Sequence, residues 1–307
     1  MVIVVTGASS GIGALTVKAL AEAGHTVYAG MRHVETRNAD PARVTAQYAI
    51  PVELDVTDQG SADLAISRII VEQGRLDAVV HNAGHMVLGP AEAFTPEQLA
   101  AQYDVNVLGT QRVNRAAVPY LRARGEGLLV WVGSTSTRGG CPPFAAPYFA
   151  AKAAMDALAV SCAGELIRFG IDTAIVLPGA FTTGTSHFAN ASAPDDQPRA
   201  DEYRERYGEL LAELGPRLSA LIPPQAHPRA VAQAIVRLVD LPAGTRPLHT
   251  HVDPSHDGSE VVSAVADRIR AELASHRPGR PALPEVSEAR ERNRLLTGGL
   301  DLPHIQT

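Results

Sequence analysis

Cysteine is nearly absent: Cys141 and Cys162 are the only two in 307 residues. Two thiols give no disulfide framework and no CxxC metal pattern. An excess of basic charge is also lacking, with 27 Lys+Arg against 33 Asp+Glu and a net charge of −6. Nothing therefore suggests an electrostatic grip on nucleic acid or an anionic membrane. No uninterrupted apolar run reaches the ~18 residues needed to span a bilayer. The start, Met1-Val2-Ile3-Val4-Val5-Thr6-Gly7, has no basic segment followed by a long apolar one, so a secretory signal is not expected. The 26 Gly and 22 Pro follow no period, which excludes collagen-like chains, and a hydrophobic share of 45% excludes a disordered one. What remains is a soluble, globular protein expected in the cytoplasm, long enough for one large domain or two small ones.

Short β-branched runs alternate with longer stretches of helical period, as in a parallel sheet covered by helices. Strands are expected at Val2 to Val5, Thr26 to Met31, Val52 to Val56, Leu76 to His81, Gly127 to Val132, Asp172 to Leu177 and Arg246 to Val252. Helices are expected at Gly11 to Ala23, Asp58 to Gln73, Thr95 to Arg124 and Tyr148 to Phe169. The strands are near-continuous apolar runs, which requires cover on both faces. The fold class is thus α/β: a doubly wound, Rossmann-type parallel sheet of about seven strands. Residues 1–275 form one domain in this reading. The irregular stretch 181–225, with a helix from Asp201 to Leu214, reads as a substrate lid. Residues 276–307, rich in proline, read as a C-terminal arm.

The first strand runs into Thr6-Gly7-Ala8-Ser9-Ser10-Gly11-Ile12-Gly13, where a helix opens. Gly7 permits the tight turn, Gly11 lets backbone approach a pyrophosphate, and Gly13 lets the helix pack on the sheet. Exposed N–H groups and the positive helix end would hold the phosphates. The second strand ends Ala29-Gly30-Met31-Arg32, and no acid appears until Glu35. An acid at that strand end bonds a free ribose hydroxyl, whereas a guanidinium pairs with a 2′-phosphate. Arg32 therefore favours NADP(H), with NAD(H) possible if Arg32 is only solvated or stacks on the adenine.

The Gly-x-x-x-Gly-x-Gly spacing, with its preceding Thr, resembles the short-chain dehydrogenase/reductase family in its compact branch. That resemblance implies further roles. Ser9 would add a hydroxyl donor, Asp55 would accept from the adenine amino group beside Val56, and Asn82-Ala83-Gly84 would pass beneath the nicotinamide ribose. Pro178-Gly179 and the threonines Thr182 and Thr183 would contact the nicotinamide carboxamide. The stretches Tyr28-Ala29-Gly30-Met31-Arg32 and Gly89-Pro90-Ala91-Glu92 are similar to members near the 17β-hydroxysteroid dehydrogenases.

Tyr148 and Lys152 sit at i and i+4, on one helix face. A phenol titrates near ~10, and a nearby cation favours the phenolate, so such a pair could move a proton near neutrality. Carbonyl reduction needs that proton at oxygen while hydride arrives at carbon. Upstream, Ser134-Thr135-Ser136 follows the fifth strand, where a hydroxyl could stabilise a developing alkoxide. Ser134 is taken as the catalytic serine, with Thr135 and Ser136 as alternatives. Family members place this serine one residue closer to the tyrosine than the 14 found here, and one extra residue in the Arg138 to Pro143 loop accounts for the difference. Asn106 matches the family's helix asparagine, whose carboxamide would hold a relay water for the lysine.

The run His249-Thr250-His251-Val252-Asp253 could chelate a metal from one strand face, but hydride transfer needs none, so no metal is expected. Phe144, Phe181 and Phe188 are expected to wall an apolar pocket under the Tyr203 to Leu214 helix. The resulting expectation is an NAD(P)-dependent oxidoreductase acting on a small hydrophobic alcohol or ketone, assembled as a homodimer or homotetramer. Its rivals are a cofactor-binding regulator without turnover and an isomerase or dehydratase using bound dinucleotide.

Overall fold

The apolar runs pair side by side into one parallel sheet in the computed structural model, which describes residues 1–139, 143–185 and 187–274. The strands are β1 (Val2–Thr6), β2 (Thr26–Met31), β3 (Ile50–Glu53), β4 (Ala78–His81), β5 (Gly127–Val132), β6 (Ile171–Pro178) and β7 (His249–Val252). They lie in the order β3-β2-β1-β4-β5-β6-β7, all parallel, which is the doubly wound arrangement expected.

Alternation along each strand decides which layer a residue joins. Val2 and Val4 of β1 face Ile66 of α3 (Gln59–Gln73), Val113 of α5 (Gly109–Arg124) and Met155 of α6 (Ala146–Leu166). Ile3 and Val5 face the other way, towards Val17 of α1 (Gly11–Glu22) and Ile235 of α8 (Arg229–Asp240). Short local signals set helix ends. Asp58 accepts from the Gly60 N–H at 2.8 Å to cap α3, and Thr95 and Gln98 form a reciprocal box at the start of α4 (Pro96–Tyr103). The remaining helices are α2 (Ala39–Thr45), α7 (Gln197–Ala220) and α9 (Ser259–Ala274). No helix among the described residues is long and apolar enough to cross a membrane.

Several boundaries differ from expectation for physical reasons. β3 begins at Ile50 and ends at Glu53, so Asp55 and Val56 lie beyond the strand rather than closing it. Pro51 is accommodated within β3 because this is an edge strand, where a missing N–H costs no ladder bond. The helix expected over Thr95 to Arg124 is interrupted by a π-helical turn, Asp104–Leu108. There Gly109 lies against Val56, whose Cγ2 would be 2.8 Å from a β-carbon at that position. The helix expected over Asp201 to Leu214 is longer, Gln197–Ala220. The proposed arm, 276–307, and Cys141 lie outside the described residues.

His81, the last residue of β4, gives the fold a pH dependence. It is 2% exposed, its Nε2–H donates to Asn114 Oδ1 at 2.8 Å, and its ring packs 4.5 Å from Trp131. Burial drives its pKa from 6.5 down to about 4. Below pH 6.5 the unfolded chain takes up the proton first, so this stability is whole above 6.5 and is lost as pH falls towards 4. The loss amounts to about 3 kcal/mol. Denaturation of the wild type and of His81→Phe at pH 7 and pH 4.5 should show a smaller acid loss in the variant.

Candidate active site

A cavity of about 1260 Å³ runs along the carboxyl ends of the strands, across the point where sheet order reverses between β1 and β4. Its phosphate end is built by backbone shape. Gly7 has φ +65°, and a β-carbon there would lie 2.7 Å from Ala83 Cα. A β-carbon on Gly13 would run into the Gly7 carbonyl, so only glycine lets α1 start this close to β1. Ser10 precedes α1 without capping it, which leaves the first-turn N–H groups open. Such a cradle, lined by Ser9, Ser10, Gly11 and Ile12, fits a pyrophosphate. Asn82 plays a supporting part: its Nδ2 donates to the Thr6 and Gly7 carbonyls at 2.9 and 3.1 Å. Thr6 Oγ1 in turn accepts from the Asn82 and Ala83 N–H groups, both at 3.0 Å. Asn82 and Ala83 therefore hold the glycine loop in shape while lining the cavity beside Gly84.

At the β2 end, Arg32 is exposed on the cavity wall. Arg37 lines the same end and was not anticipated, because four residues of unpatterned loop separate it from Arg32. Neither guanidinium has an ion-pair partner among the described residues, so both are available to an anion. Glu53 shapes the turn by accepting from the His33 and Val34 N–H groups at 2.8 and 2.9 Å. Asp55 turns one carboxylate oxygen onto Thr57, at 2.9 Å to N–H and 2.7 Å to Oγ1, and borders the cavity with Val56.

The catalytic candidates meet at the other end. Tyr148 and Lys152 open α6, are 8% and 4% exposed, and line the cavity with Ser134. Ser134 is the hydroxyl near the phenol, and it shares a 2.8 Å hydrogen bond with Ser136 Oγ. Burial pushes the Tyr148 phenol up to about 12, with Ser134 opposing the rise. Lys152 is pulled down to about 8 by burial and donates to the Val132 carbonyl at 2.9 Å. Its Nζ stands 5.9 Å from the Tyr148 ring centroid. Burial is the largest influence on the phenol, and the Lys152 ammonium stands beside its ring.

Asn106 lies in the widened π turn, fully buried behind Gly84 and not on the cavity wall. Its Nδ2 donates to the Gln102 carbonyl at 3.0 Å, while its Oδ1 has no partner. A β-carbon on Gly84 would lie 2.7 Å from that oxygen and 3.4 Å from Lys152 Nζ, so glycine keeps open the space the two groups share. An orphaned buried acceptor there suits a bridging water.

Pro178 and Gly179 line the cavity as expected, but Thr182 and Thr183 do not. Thr185 takes their place, with its Oγ1 3.0 Å from where a β-carbon on Gly11 would stand. Phe181 and Phe188 are wall residues, whereas Phe144 sits behind the wall, packed edge-on against Tyr207 at 5.7 Å. The α7 helix contributes Leu214 and Leu218, and Leu221 follows at its end. Two histidines, His85 and His187, also border the cavity, and no sequence pattern pointed to them. His249 belongs to an internal charged chain instead of a metal site: its Nε2 meets Arg138 at 3.0 Å and its Nδ1 meets Asp267 at 2.8 Å.

A parallel sheet with a glycine-built phosphate cradle at its switch point, and Tyr-x-x-x-Lys facing it, defines a dinucleotide-dependent oxidoreductase class. The short chain dehydrogenase family model matches residues 1–194, and the chain belongs to that family. It is 31% identical over 238 residues to the 3-ketodihydrosphingosine reductase of Bacteroides thetaiotaomicron, covering 78% of this chain and 83% of that one. It is 36% identical over 220 residues to human 17-beta-hydroxysteroid dehydrogenase type 1, covering 69% of this chain and 66% of that one. A solved short-chain dehydrogenase from Streptomyces avermitilis superposes with a TM-score of 0.70 at 31% identity, over 89% of this chain and 94% of that chain. A nicotinamide cofactor follows from the family.

Proposed function

We propose that this chain is an NADP(H)-preferring carbonyl reductase in which Tyr148 supplies the proton. The observation that carries the reading is the buried pair Tyr148 and Lys152 beside Ser134 on the wall of the cavity. When bound, the cofactor supplies the hydride. Ser134 Oγ donates to the substrate oxygen and stabilises the charge that develops there. Tyr148 delivers its phenolic proton to the same oxygen, and a group held up near 12 stays protonated at working pH, which favours reduction over oxidation. Lys152 lies beside the phenol and can bond the cofactor's ribose hydroxyls. The Oδ1 of Asn106 holds a water that returns protons to the lysine.

Gly7, Ser9, Ser10, Gly11, Ile12 and Gly13 cradle the phosphates in this proposal, and Arg32 with Arg37 takes the 2′-phosphate. The substrate is a small hydrophobic ketone, since Leu88, Phe149, Phe188 and Leu214 supply much of the wall. Residues 1–275 act as one domain, with 181–225 as its lid, in a cytoplasmic homodimer or homotetramer. Exposed Leu99, Tyr103 and Tyr120 on α4 and α5 suit such a contact.

NADPH oxidation should be followed at the nicotinamide absorbance band with a panel of ketones, and repeated with NADH. NADPH turnover is expected to exceed NADH turnover. Arg32→Ala should raise KM for NADPH roughly 10- to 100-fold, as for a lost charge-assisted bond, and leave NADH nearly unchanged. Equal use of the two cofactors by the wild type would overturn the preference.

A further inference from the structure

Two imidazoles that the reduction chemistry does not use sit beside the catalytic tyrosine. His187, on the segment after β6, sets its ring at 63° to that of Tyr148 with centroids 5.4 Å apart, and meets Phe188 at 6.2 Å. Its backbone N–H donates to Thr185 Oγ1 at 3.3 Å, and its ring nitrogens have no hydrogen-bond partner among the described residues. His85 follows Gly84 after β4, on the same cavity.

His85 is held between Gln102 and Ser192. Gln102 is 1% exposed and brings its amide nitrogen to 2.9 Å from the ring. Asn106 Nδ2 donates to Gln102 Oε1 at 3.4 Å, which identifies the oxygen end of that amide. That amide nitrogen lies 2.9 Å from both Nδ1 and Nε2, and because it only donates it meets whichever of them is bare. Ser192 Oγ stands 3.5 Å from Nε2. Each neutral imidazole carries one N–H donor and one bare acceptor nitrogen, and those of His187 have no partner among the described residues. Burial, reinforced by Lys152 and His85, brings His187 down to about 4, and burial with Arg32 lowers His85, so both rings are neutral at pH 7.

A plain hydrocarbon ketone would fill the apolar wall yet strip water from these rings without replacing its hydrogen bonds, which is unfavourable. A carboxylate or phosphate would call for an uncommitted cation, but the Lys152 ammonium near His187 is held by the Val132 carbonyl, and Arg32, near His85, is assigned to the cofactor's 2′-phosphate in the reading above. A neutral oxygen satisfies both imidazoles.

We propose that His187 and His85 determine specificity for a substrate whose apolar skeleton carries a second neutral oxygen, a hydroxyl or carbonyl, next to or one carbon beyond the reacting carbonyl. This rests on the reductase reading above. It is tested with cyclic ketones of increasing size, each matched to its α-hydroxy and 1,2-diketo counterpart, with NADPH as donor and NADPH binding measured separately. The wild type is expected to favour the dioxygenated partner in kcat/KM by tenfold or more. His187→Leu should bring that ratio towards one, and His187→Gln, which keeps a donor and an acceptor, should retain much of it. A ratio near one in the wild type, or a ratio untouched by His187→Leu, overturns the proposal and leaves the reductase reading standing. NADPH binding without turnover of any ketone in the series overturns both.

Discussion

Tyr148→Phe should cut turnover by on the order of 10³-fold while NADPH binding stays close to that of the wild type. The substitution removes one oxygen and little else. The ring keeps its contacts with Phe149 at 5.9 Å and His187 at 5.4 Å, so the cavity wall is preserved. The buried phenol has its pKa raised by burial, so losing it is not a loss of folding electrostatics: it is neutral in both folded and unfolded chains at pH 7. What disappears is the proton donor on the substrate oxygen. Ser134 can still donate a hydrogen bond there, but a serine hydroxyl does not give up its proton at neutral pH, so it cannot replace the acid. Lys152, at about 8, can lose a proton near neutrality, but it points at the Val132 carbonyl. Stopped-flow reduction and fluorescence titration with NADPH separate the two effects. A Phe variant retaining a tenth or more of wild-type turnover would sink Tyr148 as the acid.

How far this could be read from the sequence depends on whether the controlling contact is local. The β2 and β5 runs, Thr26–Met31 and Gly127–Val132, are legible because strands covered on both faces must be continuously apolar. The glycine loop is legible because its constraint is on φ at single positions, and Tyr148 with Lys152 because helix geometry alone brings them to one face. The start of β3 is not legible, because Pro51 is tolerated only at a sheet edge, and edge position is a property of the whole sheet. The π turn around Asn106 arises where Gly109 meets Val56, 53 residues earlier, so no local pattern announces it. The ionisation of Tyr148 is only half legible for a similar reason. Proximity to Lys152 can be counted along a helix, but depth of burial cannot. His85 and His187 lie 102 residues apart and become neighbours of the cavity only once β4 and β6 end at the same edge.

Asp156→Ala should destabilise the protein by about 3 to 5 kcal/mol, because it strands a buried guanidinium. Arg138 follows the 3₁₀ turn Thr135–Thr137 that Ser134 caps, and Asp156 lies on α6 one turn beyond Lys152. The two meet bidentately, Nη1 to Oδ1 at 2.8 Å and Nη2 to Oδ2 at 2.7 Å, with side chains only 7% and 11% exposed. Two parallel bonds of this kind fix orientation as well as distance. The ion pair thus ties the loop bearing Ser134 to the helix bearing Tyr148. Its outer neighbour cannot take over the charge: His249 Nε2 accepts from Arg138 at 3.0 Å, and its Nδ1–H is already given to Asp267. Thermal melts should show a drop on the order of 10 °C for Asp156→Ala. The double variant Arg138→Met with Asp156→Leu removes both charges and should recover most of that loss, since an apolar pair of similar volume replaces a buried ion pair at little cost. Turnover should not recover with it, because Met and Leu pack without fixing the angle at which Ser134 meets Tyr148. A double-mutant cycle in both stability and kcat measures the two contributions separately. If Asp156→Ala melts within a degree or two of the wild type, the pair is not what joins the two catalytic elements. If the double variant regains turnover along with stability, packing alone is enough to align Ser134 with the phenol.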